Sequence, residues 1–148
     1  MKEINIVSLQ MIKTDTLNYL KNRILNPEDA AEIMRSFIGN SDREHLILIC
    51  MNSKNKPTHI QMLSIGSINQ TVIYLREIFK TALLSNANSI IIGHNNLSGD
   101  ATPSPEDINV TERLMPISEI MGILFYEHII FSDSQTYSIR QHDLKVEI

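Results

Sequence analysis

Three isoleucines and a glycine, Ile90, Ile91, Ile92 and Gly93, run straight into the polar, turn-rich stretch HNNLSGDATPSPED, His94 to Asp107. An apolar run without polar alternation reads as the end of a strand covered on both faces. Ser104-Pro105-Glu106-Asp107 then supplies a capping residue, a proline suited to the first helical turn and two acids, the usual start of a helix. A two-sided strand, a polar loop and a helix in that order demand a sheet with helices packed on it. The mouth of such a strand is where α/β proteins tend to keep their chemistry.

The rest of the chain fits that frame. INIVSLQMI reads as a first strand, Ile4 to Met11, with a further strand conceivable from Thr16 to Leu20. Asn26-Pro27-Glu28-Asp29 starts a helix whose inward face is Ile33, Met34, Phe37 and Ile38, stopped by Gly39. His45 to Met51 is a second continuous apolar run, turned at Asn52 to Pro57 into an antiparallel return strand, Thr58 to Ile65, that Gly66 ends. A helix follows from about Ile68 to Ser85, with Val72, Leu75, Phe79, Ala82 and Leu83 at helical spacing, and leads to the strand Ser89 to Ile92. Val110, Leu114, Ile117 and Met121 mark the inward face of the next helix, where Pro116 predicts a kink or break. Gly122 ends that helix. Gly122 to Phe131 holds the last central strand, Tyr137 to Ile139 a short edge strand, and the charged tail is expected to be loosely held. Strands and helices alternate irregularly with one hairpin, so the fold class is α/β (α+β), a mixed sheet flanked by helices.

Size and composition narrow the function. A length of 148 residues suits one domain, 1–148, with its core at about 26–140. With 43% hydrophobic and 20% charged residues, composition suggests neither disorder nor a membrane protein. No apolar run approaches the roughly 18 residues of a spanning helix, and MKEINIVSLQ lacks the marks of a signal peptide, so a cytoplasmic protein is expected. The single cysteine, Cys50, forms no internal disulfide and reads as a small buried hydrophobe. A net charge of −4 without a Lys/Arg cluster argues against nucleic-acid binding.

Except at one position, HNNLSGDATPSPED resembles the HNHPSGDPTPS..D signature of the RadC family, bacterial members of the JAB/MPN (JAMM) metallopeptidase-like fold. The resemblance covers roughly Asn26 to Phe131, including Arg76-Glu77 and Glu127 to Ile130. It implies a single JAB/MPN domain of cytidine-deaminase-like architecture. It also implies a zinc-dependent peptide or isopeptide hydrolase, with Glu44 as general base, His94 as first zinc ligand, Asp107 as third ligand and Ser104 steadying the oxyanion. The second ligand falls at position 96, which is asparagine. A carboxamide oxygen is neutral and weakly basic, whereas zinc sites are built from imidazole, thiolate or carboxylate. Losing one of three protein ligands costs several kcal/mol of a binding free energy on the order of 10 kcal/mol. Leu97 in place of proline, Tyr74-Leu75 in place of His-Pro and Glu127 in place of aspartate are further departures.

Other readings of the same residues stand beside these. Ser104 and Asp107 form an S-x-x-D capping pair that needs no metal. His128, in an apolar strand, reads as a satisfied core histidine. His45, His59 and His142 offer no ligand spacing, and Ser98-Gly99-Asp100 reads as a turn, lacking the glycines and lysine of a phosphate loop. Three functions follow: a JAMM-type hydrolase with an impaired metal site acting on a peptide or protein, a silent domain kept for binding or dimerisation, and, as the weakest, a DNA-repair accessory. Full-length relatives carry a helix-hairpin-helix segment for which this chain is expected to have no room. Exposed strand edges in such a fold point to a homodimer.

Overall fold

The computed structural model describes residues 1–65 and 71–142, the side chains of 64, 65 and 71–74 excepted. Five strands form one mixed sheet in the order β2-β1-β3-β4-β5. They are β1 (His45–Met51), β2 (Pro57–Ile65), β3 (Ser89–Asn95), β4 (Leu124–Phe131) and β5 (Thr136–Ser138). The helices are α1 (Pro27–Ile38), α2 (Thr71–Leu84), α3 (Pro105–Met121) and the single turn α4 (Ile139–His142). Only β3 and β4 run parallel, and the other neighbours are antiparallel. The architecture is the expected α+β one.

β1 and β3 are buried along their whole length, so their alternate residues feed two cores. Leu46, Leu48, Cys50, Ile90 and Ile92 pack under α2 and α3 with Ile78, Val110 and Leu114. Ile47, Ile49, Met51 and Ile91 pack under α1 with Met34 and Ala31. Cys50 is thus the small core hydrophobe its setting suggested. β4 changes face at one irregularity: Ile90 pairs with Phe125, but Ile91 pairs with Glu127. Phe125 therefore belongs to the first core, Ile129 and Phe131 to the second. That extra residue turns His128 to the α3 side.

Local signals operate as read at both capped helices. Asn26 accepts from the backbone N–H of Asp29, and Gly39 ends α1 at φ 58°. Ser104 and Asp107 cap α3 reciprocally, and Gly122 ends it in the left-handed region. The side chain of Asp29 also takes a structural role: it accepts from Lys21 and from the N–H of Leu25, fixing the chain that enters α1.

Several expectations need correction. Ile4 to Met11 and Thr16 to Leu20 form no strand: the first is exposed and the second half-buried only at Leu17 and Tyr19, because neither finds a backbone to pair with among the described residues. α3 runs through Pro116 without a break, since proline's fixed φ is itself helical and one lost hydrogen bond is outweighed by packing on both sides of it. Leu83 and Met121 lie at 50% and 46% exposure and not in the core, each being near a helix end that overhangs the sheet. β3 extends to Asn95, so His94 sits on a strand and not in a loop. Ile68 to Gln70, Gly66 and the tail beyond His142 lie outside the described residues, and α2 is described from Thr71. The short edge strand appears one residue early, at Thr136–Ser138.

Gly93 is where α1 approaches the sheet most closely. A Cβ there would lie 2.1 Å from Met34 Sδ and 3.2 Å from Ile129 Cγ1. Met34 is fully buried and has little room to retreat. Gly93→Ala is expected to destabilise by about 1–3 kcal/mol through overpacking, read as a lower urea midpoint at unchanged m-value.

Candidate metal centre at the end of β3

Alternation fixes which side chains meet. His94 follows Ile90 and Ile92 on the α2/α3 face of β3, and its register partner on β1 is Leu46. Glu44 precedes Leu46 by two residues, so it enters the sheet beside His94 on the same face. α3 then brings its first turn over this end of the strands. The outcome is a row of three side chains: His94 Nε2 lies 3.4 Å from Glu44 Oε2, and His94 Nδ1 lies 3.3 Å from Asp107 Oδ1. His94 and Asp107 are buried, while the Glu44 side chain is about one-third exposed at 31%.

Each member is held from outside the row. Asp107 Oδ2 accepts from the backbone N–H of Ser104 and from Ser104 Oγ, both at 2.9 Å, and Ser104 Oγ accepts from the Asp107 N–H at 3.2 Å. Capping therefore engages one carboxylate oxygen and leaves Oδ1, a buried atom without a hydrogen bond, turned to His94. Both His94 ring nitrogens are likewise buried and unbonded among the described residues. Burial pushes the Asp107 carboxyl up, but the His94 ring, the field of His128 and the Ser104 N–H outweigh it, so the group is held below its usual range.

Asn95 is a part of the site that sequence reading missed. Its Oδ1 accepts from the N–H of His45, and its Nδ2 donates to the carbonyl of Arg43 at 3.0 Å. One side chain thus grips the backbone on both sides of Glu44 and sets where that carboxylate stands. A polar residue in a strand otherwise buried on both faces was the available signal. His45 itself bonds Ser41 Oγ through Nε2 at 2.6 Å, and burial together with Arg43 and His94 lowers its pKa.

His128 lies behind the row, fully buried, with Nδ1 against Thr111 Oγ1 of α3. Its Nε2 has no partner among the described residues, so it is satisfied at one nitrogen only. Asn96 lies just past the end of β3, its backbone N–H donating to Phe131 O at 2.7 Å. It lines a separate hollow of about 470 Å³ with Arg35, Ser41 and Asp133, and neither His94 nor Asp107 lines that hollow. Ser98 to Asp100 is a turn, with Gly99 at φ 85°. Among the described residues no group of three or more His, Cys, Asp or Glu side chains is placed to hold a metal ion.

Residues 24–144 match the RadC-like JAB domain. The chain belongs to that family. Similar proteins include a UPF0758 protein of Caldanaerobacter subterraneus, 37% identical over 131 residues that make up 88% of this chain and 55% of the relative. A UPF0758 protein of Shouchella clausii is 42% identical over 118 residues, 80% of this chain and 51% of the relative. One from Staphylococcus epidermidis is 39% identical over 124 residues, 84% and 55% respectively. The chain spans about half the length of the curated relatives it matches. Among the described residues of this RadC-like domain, no helix is long and apolar enough to cross a membrane.

Two measurements probe how the site is held. Asn95→Ala would leave the His45 N–H and the Arg43 carbonyl without their partner, at an expected cost of about 2–4 kcal/mol in urea unfolding. Burial drives the His128 pKa from 6.5 to about 4, with Asp107 opposing the shift and His94 adding to it. Between those values the unfolded chain binds the proton and the folded chain does not. Stability is then fully present above about pH 6.5 and falls toward pH 4, by about 3 kcal/mol in all. The lowered pKa of His45 adds to the same slope. Unfolding curves between pH 7 and pH 4.5 check this, and His128→Gln should flatten them.

Proposed function

We propose that this RadC-like domain has the plan of a JAMM-type zinc metallopeptidase, a peptide or isopeptide hydrolase, with a metal site impaired at Asn96 and no effective catalysis. The observation that supports the reading is the row Glu44–His94–Asp107, and the family resemblance puts the second ligand at position 96, where this chain has an amide. A hydrolytic zinc needs three protein ligands, an open position for water and a carboxylate to take the water's proton. His94 and Asp107 are ligand types with unbonded buried atoms facing one another, and Glu44 stands at the open side in the place of a base. Asn96 contributes a weak neutral donor at best. The donor set therefore falls one ligand short of a tight zinc site.

What remains is an imidazole flanked by two carboxylates. A buried carboxylate faces one imidazole nitrogen, and a one-third-exposed carboxylate lies near the other. None of these three side chains by itself polarises an amide carbonyl, which in the JAMM plan is the metal's part. Ser104, the residue expected to steady an oxyanion, uses its hydroxyl in the cap with Asp107. These bonds explain Ser104 and Asp107 without any metal, and they favour the second reading, a non-catalytic module kept for binding or dimerisation.

Zinc content of the purified chain beside an Asn96→His variant tests the proposal. The natural chain is expected to hold well below one equivalent after dialysis, and the variant close to one. Near-stoichiometric zinc in the natural chain, lost on His94→Ala or Asp107→Ala, would overturn the reading.

A further inference from the structure

The segment ahead of the domain leaves a run of large apolar side chains open to solvent. Ile4, Ile6, Val7, Leu9 and Ile12 are each 77–100% exposed. In an extended chain Ile4, Ile6 and Ile12 share one face while Val7, Leu9 and Met11 share the other. Residues with that pattern belong in a strand covered on both sides. Yet residues 1–23 make no backbone–backbone hydrogen bond to any described residue.

The same chain holds the complementary half. β2 ends the sheet, so one side of its backbone is unpaired among the described strands. Exposed edges are ordinarily guarded by lysine, by inward charge or by bulges that twist the edge away. Pro57–Ile65 contains no Lys, Arg, Asp or Glu, and its guards are Pro57 at one end and two irregularities in its pairing with β1, at Leu63 and Thr58. Beside it runs a cleft of about 790 Å³ that reaches both faces of the sheet, bounded by Ile33 of α1 and by Thr81 and Leu84 of α2, with Ile49 and Ile60 between. The root of the arm, Met11 to Tyr19, lines this cleft without pairing to it.

We propose that Ile4 to Ile12 of one copy pairs as a β-strand along the free edge of β2 in a second copy, reciprocally, giving a strand-exchanged homodimer. Lengths agree: nine residues of arm meet nine of β2. Because each arm is rooted at its own β2 edge, a two-fold axis passing there presents edge to arm and arm to edge at once, the self-complementary arrangement of an isologous dimer. Both apolar faces of the arm are then covered, one toward α1 and one toward α2. The dimer is independent of whether the site at His94 holds metal.

Sedimentation of the full chain, over a range of concentrations, is the first test, with far-UV circular dichroism to verify folding of each variant. The natural chain is expected to sediment at twice its chain mass, and removal of residues 1–13 to give a folded monomer. Leu9→Pro, which removes a backbone donor, is expected to weaken dimerisation at least tenfold. Should the deletion fail to fold, Leu9→Pro and disulfide trapping decide. Trapping uses two differently tagged chains, one Val7→Cys and the other Gln61→Cys, mixed and oxidised. A disulfide joining the two tags supports the exchange. A natural chain that is monomeric throughout, a dimer indifferent to both arm variants, or cross-linking only inside a single Val7→Cys/Gln61→Cys chain would overturn it.

Discussion

β1 and β3 lie side by side with neither face open to water, so each has to supply two cores at once. Side chains of period two meet that demand with one residue up and the next down, and a slip of one position would exchange the two cores entirely. This fixes more than packing. Ile90, Ile92 and His94 have to share a face, and Glu44, Leu46 and Leu48 have to share the same one. The site is the polar continuation of the α2/α3 core, placed where the two strands pass out from under their helices. Gly93, on the opposite face, serves the same constraint by letting Met34 close the second core.

The capping of α3 is the second requirement, because it supplies the carboxylate. Asp107 has two oxygens and two duties: Oδ2 closes the helix start with Ser104, and Oδ1 faces His94. The duties are separable in energy. A cap of this kind contributes on the order of 1 kcal/mol to folding whether or not a cation is present. The α3 start is therefore secured whether or not a cation binds, and position 96 lies past the end of β3. Asn95 differs from its neighbour in this respect. Its side chain is tied to the fold by two bonds to the backbone around Glu44, whereas Asn96 is held through its backbone N–H.

Much of this was legible from residue order. Asn26, Gly39, Ser104 and Gly122 are local signals whose chemistry operates within a few residues, and continuous apolar runs reported β1 and β3 because two-sided burial leaves no polar position. The misses share a different cause. Ile4 to Met11 has the composition of a strand, but composition says nothing about where the pairing backbone comes from. Leu83 and Met121 keep the helical spacing of their neighbours, but overhang of a helix past the sheet is a tertiary fact. Pro116 was read by its local cost alone. Asn95 was overlooked because its partners, the backbone groups of Arg43 and His45, are fifty residues away and leave no mark in the chain near it. The resemblance to the RadC family named Glu44, His94, position 96, Ser104 and Asp107: Glu44 and Asp107 flank the His94 ring and Ser104 bonds Asp107, while Asn96 lines a different hollow.

Edge and arm raise the same question of where a strand ends. A sheet of five strands with β5 only three residues long is well protected on one side, where α4 follows directly and Arg140 donates to the carbonyls of Phe125 and Tyr126. Its other side is β2, nine residues with no charged side chain. An open edge of that length invites pairing with any extended segment, and aggregation is the ordinary penalty. A chain that carries its own apolar arm beside such an edge has a specific partner for it at high local concentration whenever two copies meet. Occupying the edge with a matched strand is then both an assembly and a safeguard.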